Sequence, residues 1–323
     1  MKVGLIDVDA VNRNKHSQGF PNLALMRISA YHKAKGDDVE WWWTGLIHYD
    51  IVYMSKVFSD SYSPDIPEPP NVDKVIKGGT GYAISTVGGE ERFDKSKHHN
   101  LPDEIERMFP DYTIYPQYNF AVSMTSRGCP RGCSFCHVAA KEGRCSVKVA
   151  DVSDFWTPDI GKPEIKVLDP NITACRDKRD LFKQYRETGA LIEFTQGLDI
   201  RCLNDEDIED INRMRIHRIH FAWDNPKDDL EQKFRNFAQR FRRKTNIGTV
   251  YCLTNFNSTM EENLTRIYCL RDLGFDPYVM IYNKPSAPKE IRDLQRWCNN
   301  KILFKSVPRF EDYNWRKLYD ERR

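Results

Sequence analysis

Residues 120–137 read FAVSMTSRGCPRGCSFCH. The first seven form a strand candidate, rich in apolar and β-compatible residues. The next eleven carry Cys129, Cys133 and Cys136 in C-x3-C-x2-C spacing, set among glycine, proline and arginine. A strand that runs directly into a loop with three thiols, and with no obvious fourth, raises the question of what those thiols hold.

Downstream, strand and helix patterns alternate. EIKVLD (164–169), LIEFTQGLD (191–199), RIHFAWD (218–224), TVYCLTN (249–255) and YVMIYN (278–283) are strand candidates. Helical stripes lie between them: Leu181, Phe182 and Tyr185; Ile208 and Ile211 behind an Asn204 N-cap; and Leu230, Phe234, Phe237 and Phe241. A further helix opens with a Ser258/Glu261 capping box and stops at Gly274. Six β/α units in succession predict a barrel or partial barrel over residues 116–323, ending in C-terminal helices.

Upstream, KVGLID (2–7) reads as a buried strand. Leu23, Met26, Ala30 and Ala34 then recur at helical spacing, with Gly36 as the stop. DVEWWW, YDIVYMSKVF and VDKVIKGGTGY follow as strands, the last ending in a glycine turn. This order predicts a small Rossmann-like α/β domain with a parallel sheet over residues 1–115. The Gly-, Pro- and charge-rich stretch 85–112 connects it to the rest. In WWW (41–43), alternation sets Trp42 opposite its neighbours, so core packing with one exposed ring explains the run.

Composition narrows the classes. The chain has 323 residues, 40% hydrophobic and 12% aromatic, which is globular rather than disordered. No apolar run approaches the ~20 residues of a membrane span, and MKVGLIDVDA reads as a strand rather than a signal peptide. A cytoplasmic protein with no membrane partner is expected. Nine cysteines are then not a disulfide framework, since cytosolic thiols stay reduced. Cys175, Cys202, Cys252, Cys269 and Cys298 lack ligand spacing and read as small hydrophobes. A net charge of +2 gives no whole-protein pull on nucleic acid. RFRRK (240–244), RIHRIH (215–220) and NWRKLYDERR (314–323) remain as local basic segments, either solvated faces or a surface for a nucleic-acid partner.

Three thiolates from one short loop can hold three irons of a [4Fe–4S] cube and leave the fourth iron open to a small molecule. Gly128 and Gly132 let the backbone close around it, and Arg127 and Arg131 can offset its negative charge. Zinc is the alternative, completed by His137 or Cys145. The C-x3-C-x-aromatic-C pattern, with Phe135 in the aromatic position, resembles the motif of the radical S-adenosylmethionine (radical SAM) superfamily, and the resemblance spans residues 116–285. It implies an α/β fold with a partial (β/α)6 barrel and a [4Fe–4S] cluster on Cys129, Cys133 and Cys136. It also implies S-adenosylmethionine chelating the open iron through its amine and carboxylate. An electron supplied by an external donor such as flavodoxin or ferredoxin would cleave the cofactor, and a 5′-deoxyadenosyl radical would take hydrogen from the substrate.

The same resemblance assigns strand-end residues to the cofactor. Asp169 and Asn171 fall where the methionine amine is held, Gln196, Asp199 and Arg201 where ribose or carboxylate is held, and Asn255 by ribose or adenine. For Asp169, Asn171 and Asn255 a loop hydrogen bond or helix cap is the other reading. The first domain resembles the cobalamin-binding domain of cobalamin-type radical SAM proteins. His16–Gly19 gives H-x-x-G with Asn14 where that pattern has Asp, and Gly78, Gly79 and Gly81 either flank a cofactor tail or shape a turn. Cobalamin is therefore carried as an alternative cofactor. Substrate readings are methylation or methylthiolation of a nucleic acid, and modification of a peptide or small metabolite. Rival classes are a redox sensor and a non-enzymatic zinc or Fe–S protein that binds RNA or a partner.

Overall fold

The run Lys2–Asp7 forms β1, with five of its six residues buried, as a central parallel strand requires. In this computed structural model, residues 1–12, 19–87 and 90–313 are described. The expectations placed on Asn14, His16 and NWRKLYDERR lie outside the described residues. Strand β1 pairs in parallel with β2 (Asp38–Trp41) and with β3 (Tyr49–Ser55), and β3 with β4 (Val72–Gly78), giving the order β2-β1-β3-β4. Parallel neighbours need a crossover, and α1 (Leu23–Ala34) supplies the one between β1 and β2. Asn22 caps it by accepting from the Leu25 N–H at 3.2 Å, and Gly36 follows it at φ +79°.

The buried set of α1 is Leu25, Met26, Arg27, Ile28, Ser29 and His32, not the expected Leu23, Ala30 and Ala34 face. Apolar periodicity misleads here because polar side chains on this helix are buried by specific partners. The Arg27 guanidinium meets Glu106 at 2.6 Å and lies over the Phe155 ring, and the Ser29 hydroxyl donates to Asp111 at 2.7 Å. The glycine turn after β4 also has a packing explanation. A Cβ at Gly79 would stand 2.3 Å from the Lys56 carbonyl oxygen, and one at Gly81 2.1 Å from that of Phe58. Backbone thus packs on backbone, with φ +102° at Gly79.

The chain divides into two compact units, Met1–Ile192 and Glu193–Arg323. In the first, β5 (Ala121–Ser123) pairs in parallel with β6 (Glu164–Val167), and α2 (Lys178–Glu187) follows with Leu181, Phe182 and Tyr185 buried. Strand β7 (Leu191–Leu198) carries the boundary. In the second unit come α3 (Asp205–Asn212), β8 (Arg215–Ala222), α4 (Glu231–Arg240), β9 (Thr249–Thr254), α5 (Met260–Asp272), β10 (Asp276–Ile281), α6 (Lys289–Asn299) and α7 (Lys301–Ser306). The six strands β5 to β10 form one sheet in sequential order, and β8, β9 and β10 pair in parallel. The chain is a mixed α/β protein with two larger sheets. No described helix is long and apolar enough to cross a membrane.

Side-chain chemistry moves some expected boundaries. The capping box of α5 is Thr259 with Glu262, one residue beyond the expected pair, because the Ser258 hydroxyl donates to Asn263 at 2.8 Å instead. Around α4, Phe221 meets Phe237 at 5.0 Å and Phe275 meets Phe234 at 5.1 Å between ring centroids, both edge to face. RFRRK spends charge on the chain itself: Arg242 donates to the Met214 carbonyl at 2.6 Å, and Lys244 to the Gln239 carbonyl at 2.6 Å, near the end of α4.

Phe234 is fully buried in this aromatic group, whereas Leu46 is 92% exposed. Phe234→Ala should lower the unfolding free energy by about 3–5 kcal/mol and Leu46→Ala by less than about 0.5 kcal/mol, read from urea midpoints. Equal midpoints for the two variants would contradict this packing.

Candidate functional site

The site begins where β5 stops. Its expected span of 120–126 is cut short because a carboxylate takes the next two amides. Asp169, at the exit of β6, accepts from the Thr125 N–H at 3.0 Å, from the Thr125 hydroxyl at 2.8 Å and from the Ser126 N–H. Asp169 is 2% exposed. Burial pushes its carboxyl up to about 6, against the hydrogen bonds from Ser126 and Thr125.

Held there, Ser126–Arg127 pairs antiparallel with Val147–Lys148, and the two short strands bracket the cysteine loop. Gly128 sits at φ +87°, and a Cβ on it would fall 2.1 Å from the Cys145 carbonyl oxygen. Only glycine fits at that crossing. The Cys129 N–H donates to the Gly143 carbonyl at 3.1 Å and the Cys136 N–H to that of Cys133 at 3.0 Å, so backbone bonds shape the loop. Cys129, Cys133 and Phe135 are half-buried, and Cys136 is exposed. None of the three cysteines is in a disulfide.

One feature bears on what this loop can hold. It is Asn171, which is 4% exposed and donates from Nδ2 to the Cys129 sulfur at 3.3 Å. Arg127 is engaged by carboxylates, with Glu106 at 2.5 Å and Glu142 at 3.8 Å. His137 faces Glu91 at 3.8 Å.

In the second unit, Asp199 caps the turn Ile200–Cys202 and holds Arg201 Nε at 2.7 Å, while Arg201 also reaches Asp228 at 2.5 Å. Gln196 is exposed on β7, next to Gly197 at φ +94°. Asn255 sits at φ +60° and donates to the Tyr282 carbonyl at 2.8 Å. The structure thus joins Asp169 and Asn171 to the cysteine loop, and Asp199 to Arg201. Asn255 is tied to the chain following β10.

Sequence reasoning missed three residues here. Asp228 completes the Arg201 pair from a turn whose N-P-x-D pattern reads only as a loop. Asp224, at the exit of β8, accepts from the Leu253 N–H at 3.2 Å, and burial pushes it to about 6. Arg266 is 2% exposed and donates to the carbonyls of Trp223, Asp224 and Leu253 and to Asn263 Oδ1. On an amphipathic helix an arginine reads as a solvated residue, so no pattern marks it.

No protein-family model and no curated protein matches the sequence. The fold is similar to that of TsrM, a radical S-adenosylmethionine methyltransferase from Kitasatospora setae whose structure has cobalamin and a [4Fe-4S] cluster bound. The TM-score is 0.61 at 11% identity, over 87% of this chain and 74% of that one. At that identity the likeness is one of fold.

The Asp169 carboxyl holds its proton to about pH 6 in the folded chain, while an unfolded aspartate loses it near pH ~4. The folded state therefore binds more protons between these values, and this group's contribution to stability falls as pH rises across that window. The difference in unfolding free energy between wild type and Asp169→Asn should shrink from about pH 4 to about pH 6 and then level off. A difference that grows with pH in denaturation curves would overturn the assignment.

Proposed function

We propose that the chain is a radical S-adenosylmethionine enzyme whose [4Fe–4S] cluster is held by Cys129, Cys133 and Cys136, with one iron left for S-adenosylmethionine. The observation that carries this reading is the loop itself: three thiols in C-x3-C-x-aromatic-C spacing, on a backbone closed by Gly128, at the exit of a parallel strand. The likeness in fold to a radical SAM enzyme supports the same class. When bound, the cluster supplies the electron that cleaves the C5′–S bond of the cofactor.

The chain's own part is placement. Asp169 fixes the peptide groups of residues 125 and 126, so the loop starts from a rigid base. The Arg127 pair with Glu106 ties it to the segment that also holds Arg27. Phe135, Gln196, Asp199, Arg201 and Asn255 are the proposed S-adenosylmethionine contacts. Of these only Gln196 is exposed. An external one-electron donor of the flavodoxin or ferredoxin class completes the reaction.

Cobalamin stays an alternative cofactor, supported by the likeness in fold to a protein whose structure has it bound. At the ends of β1 and β3, Asn22 donates to the Ser55 hydroxyl at 2.9 Å, Asp9 accepts from the Val57 N–H at 2.7 Å, and the glycine turn packs on Lys56 and Phe58. For the substrate, Arg242 and Lys244 serve the chain's own carbonyls, which leaves a peptide or small metabolite beside the nucleic-acid reading.

Anaerobically prepared protein should carry about four irons and absorb at roughly 400 nm, bleaching on reduction. With dithionite and S-adenosylmethionine it should form 5′-deoxyadenosine, and Cys129→Ala, Cys133→Ala or Cys136→Ala should abolish both signals. Colourless protein loaded with zinc would end the proposal. A normal cluster with no 5′-deoxyadenosine would favour the redox sensor.

A further inference from the structure

Asn171 stands apart from the other strand-end residues because its amide has a fixed orientation. Its Oδ1 accepts from the Thr173 hydroxyl at 2.8 Å and from the Ala174 N–H at 3.2 Å. Both neighbours are donors, so this end must be the oxygen and the other end the NH2 group. That group meets the Cys129 sulfur at 3.3 Å. Its own carbonyl accepts from the Ser146 hydroxyl at 2.8 Å, which ties the residue to the strand closing the cysteine loop. A buried amide proton left without an acceptor is costly, and the sulfur is the acceptor it has found.

We infer that Asn171 is a positioning residue that sets the reduction potential of the cluster through an N–H···S bond to the Cys129 thiolate. This rests on the cluster reading above. A hydrogen bond to a ligating sulfur withdraws electron density from it and favours the state with one more electron, which raises the potential. The couple takes one electron from an external reductant and forms or breaks no bond. A net hydrogen-bond contribution of about 0.5–1.5 kcal/mol corresponds to a two- to tenfold change in the ratio of reduced to oxidised cluster at a fixed poise. Tenfold is ~59 mV for one electron.

The turn formed by Ile172–Ala174 supplies a clean variant. Asn171→Asp keeps an oxygen for Thr173 and Ala174 and replaces the donor with a second carboxylate oxygen. Asn171→Leu removes both functions. The full chain is reconstituted anaerobically without S-adenosylmethionine, its iron counted, and the reduced cluster quantified by electron paramagnetic resonance against solution potential. At the wild-type midpoint, Asn171→Asp should hold about tenfold less reduced cluster at unchanged iron content. Asn171→Leu should hold several-fold less, even where its thermal stability is lower. Identical midpoints in all three proteins would overturn the inference. So would unmoved midpoints with weakened binding of S-adenosylmethionine to the oxidised protein, which would return Asn171 to a cofactor contact. If the wild type takes up no iron, the cluster reading itself fails. If it takes up iron and only the midpoints agree, the failure belongs to Asn171 alone.

Discussion

One buried carboxylate decides where the cysteine loop begins. Parallel strands end with peptide groups that no neighbour pairs, and leaving them unpaired inside the protein is costly. At the exit of β5 the Asp169 side chain takes two of those N–H groups and a hydroxyl, which ends the strand and turns the chain into the loop. The crossing at Gly128, the short pairing with Val147–Lys148 and the reach of Asn171 to Cys129 all follow from that starting point. One residue, Pro170, separates the carboxylate that anchors the loop from the amide that touches its first thiol.

The second unit solves the corresponding problem with the opposite charge. Its strands β8 and β9 end in carbonyls, and Arg266 on α5 donates to three of them from a buried position. A guanidinium has five donors in a planar fork and suits converging carbonyls, as a carboxylate suits converging amides. In each unit a charged side chain with little exposed surface organises strand exits.

Much of this architecture is legible in the sequence because it is local. The Asn204 N-cap, the Leu181/Phe182/Tyr185 stripe and the stop at Gly274 depend on neighbours a few residues away. The cysteine spacing is equally local. Long-range partners are not legible: Asp169 is 44 residues from Thr125 and Asn171 is 42 from Cys129, and nothing in either stretch names the other. The face of α1 is obscured for a related reason, since Arg27 and Ser29 are buried by Glu106 and Asp111 from beyond residue 100. Asp and Asn at strand ends suggest a ligand or a cap with equal force, and only the geometry separates anchoring from thiolate contact.

The central claim is that this loop ligates three irons of a four-iron cluster and leaves the fourth to an external molecule. Mössbauer spectra of 57Fe-loaded protein, with and without S-adenosylmethionine, test it most directly. About one quarter of the iron signal should change on addition while the rest keeps its tetrahedral sulfur signature. A spectrum in which every iron is already alike and stays unchanged would contradict the account.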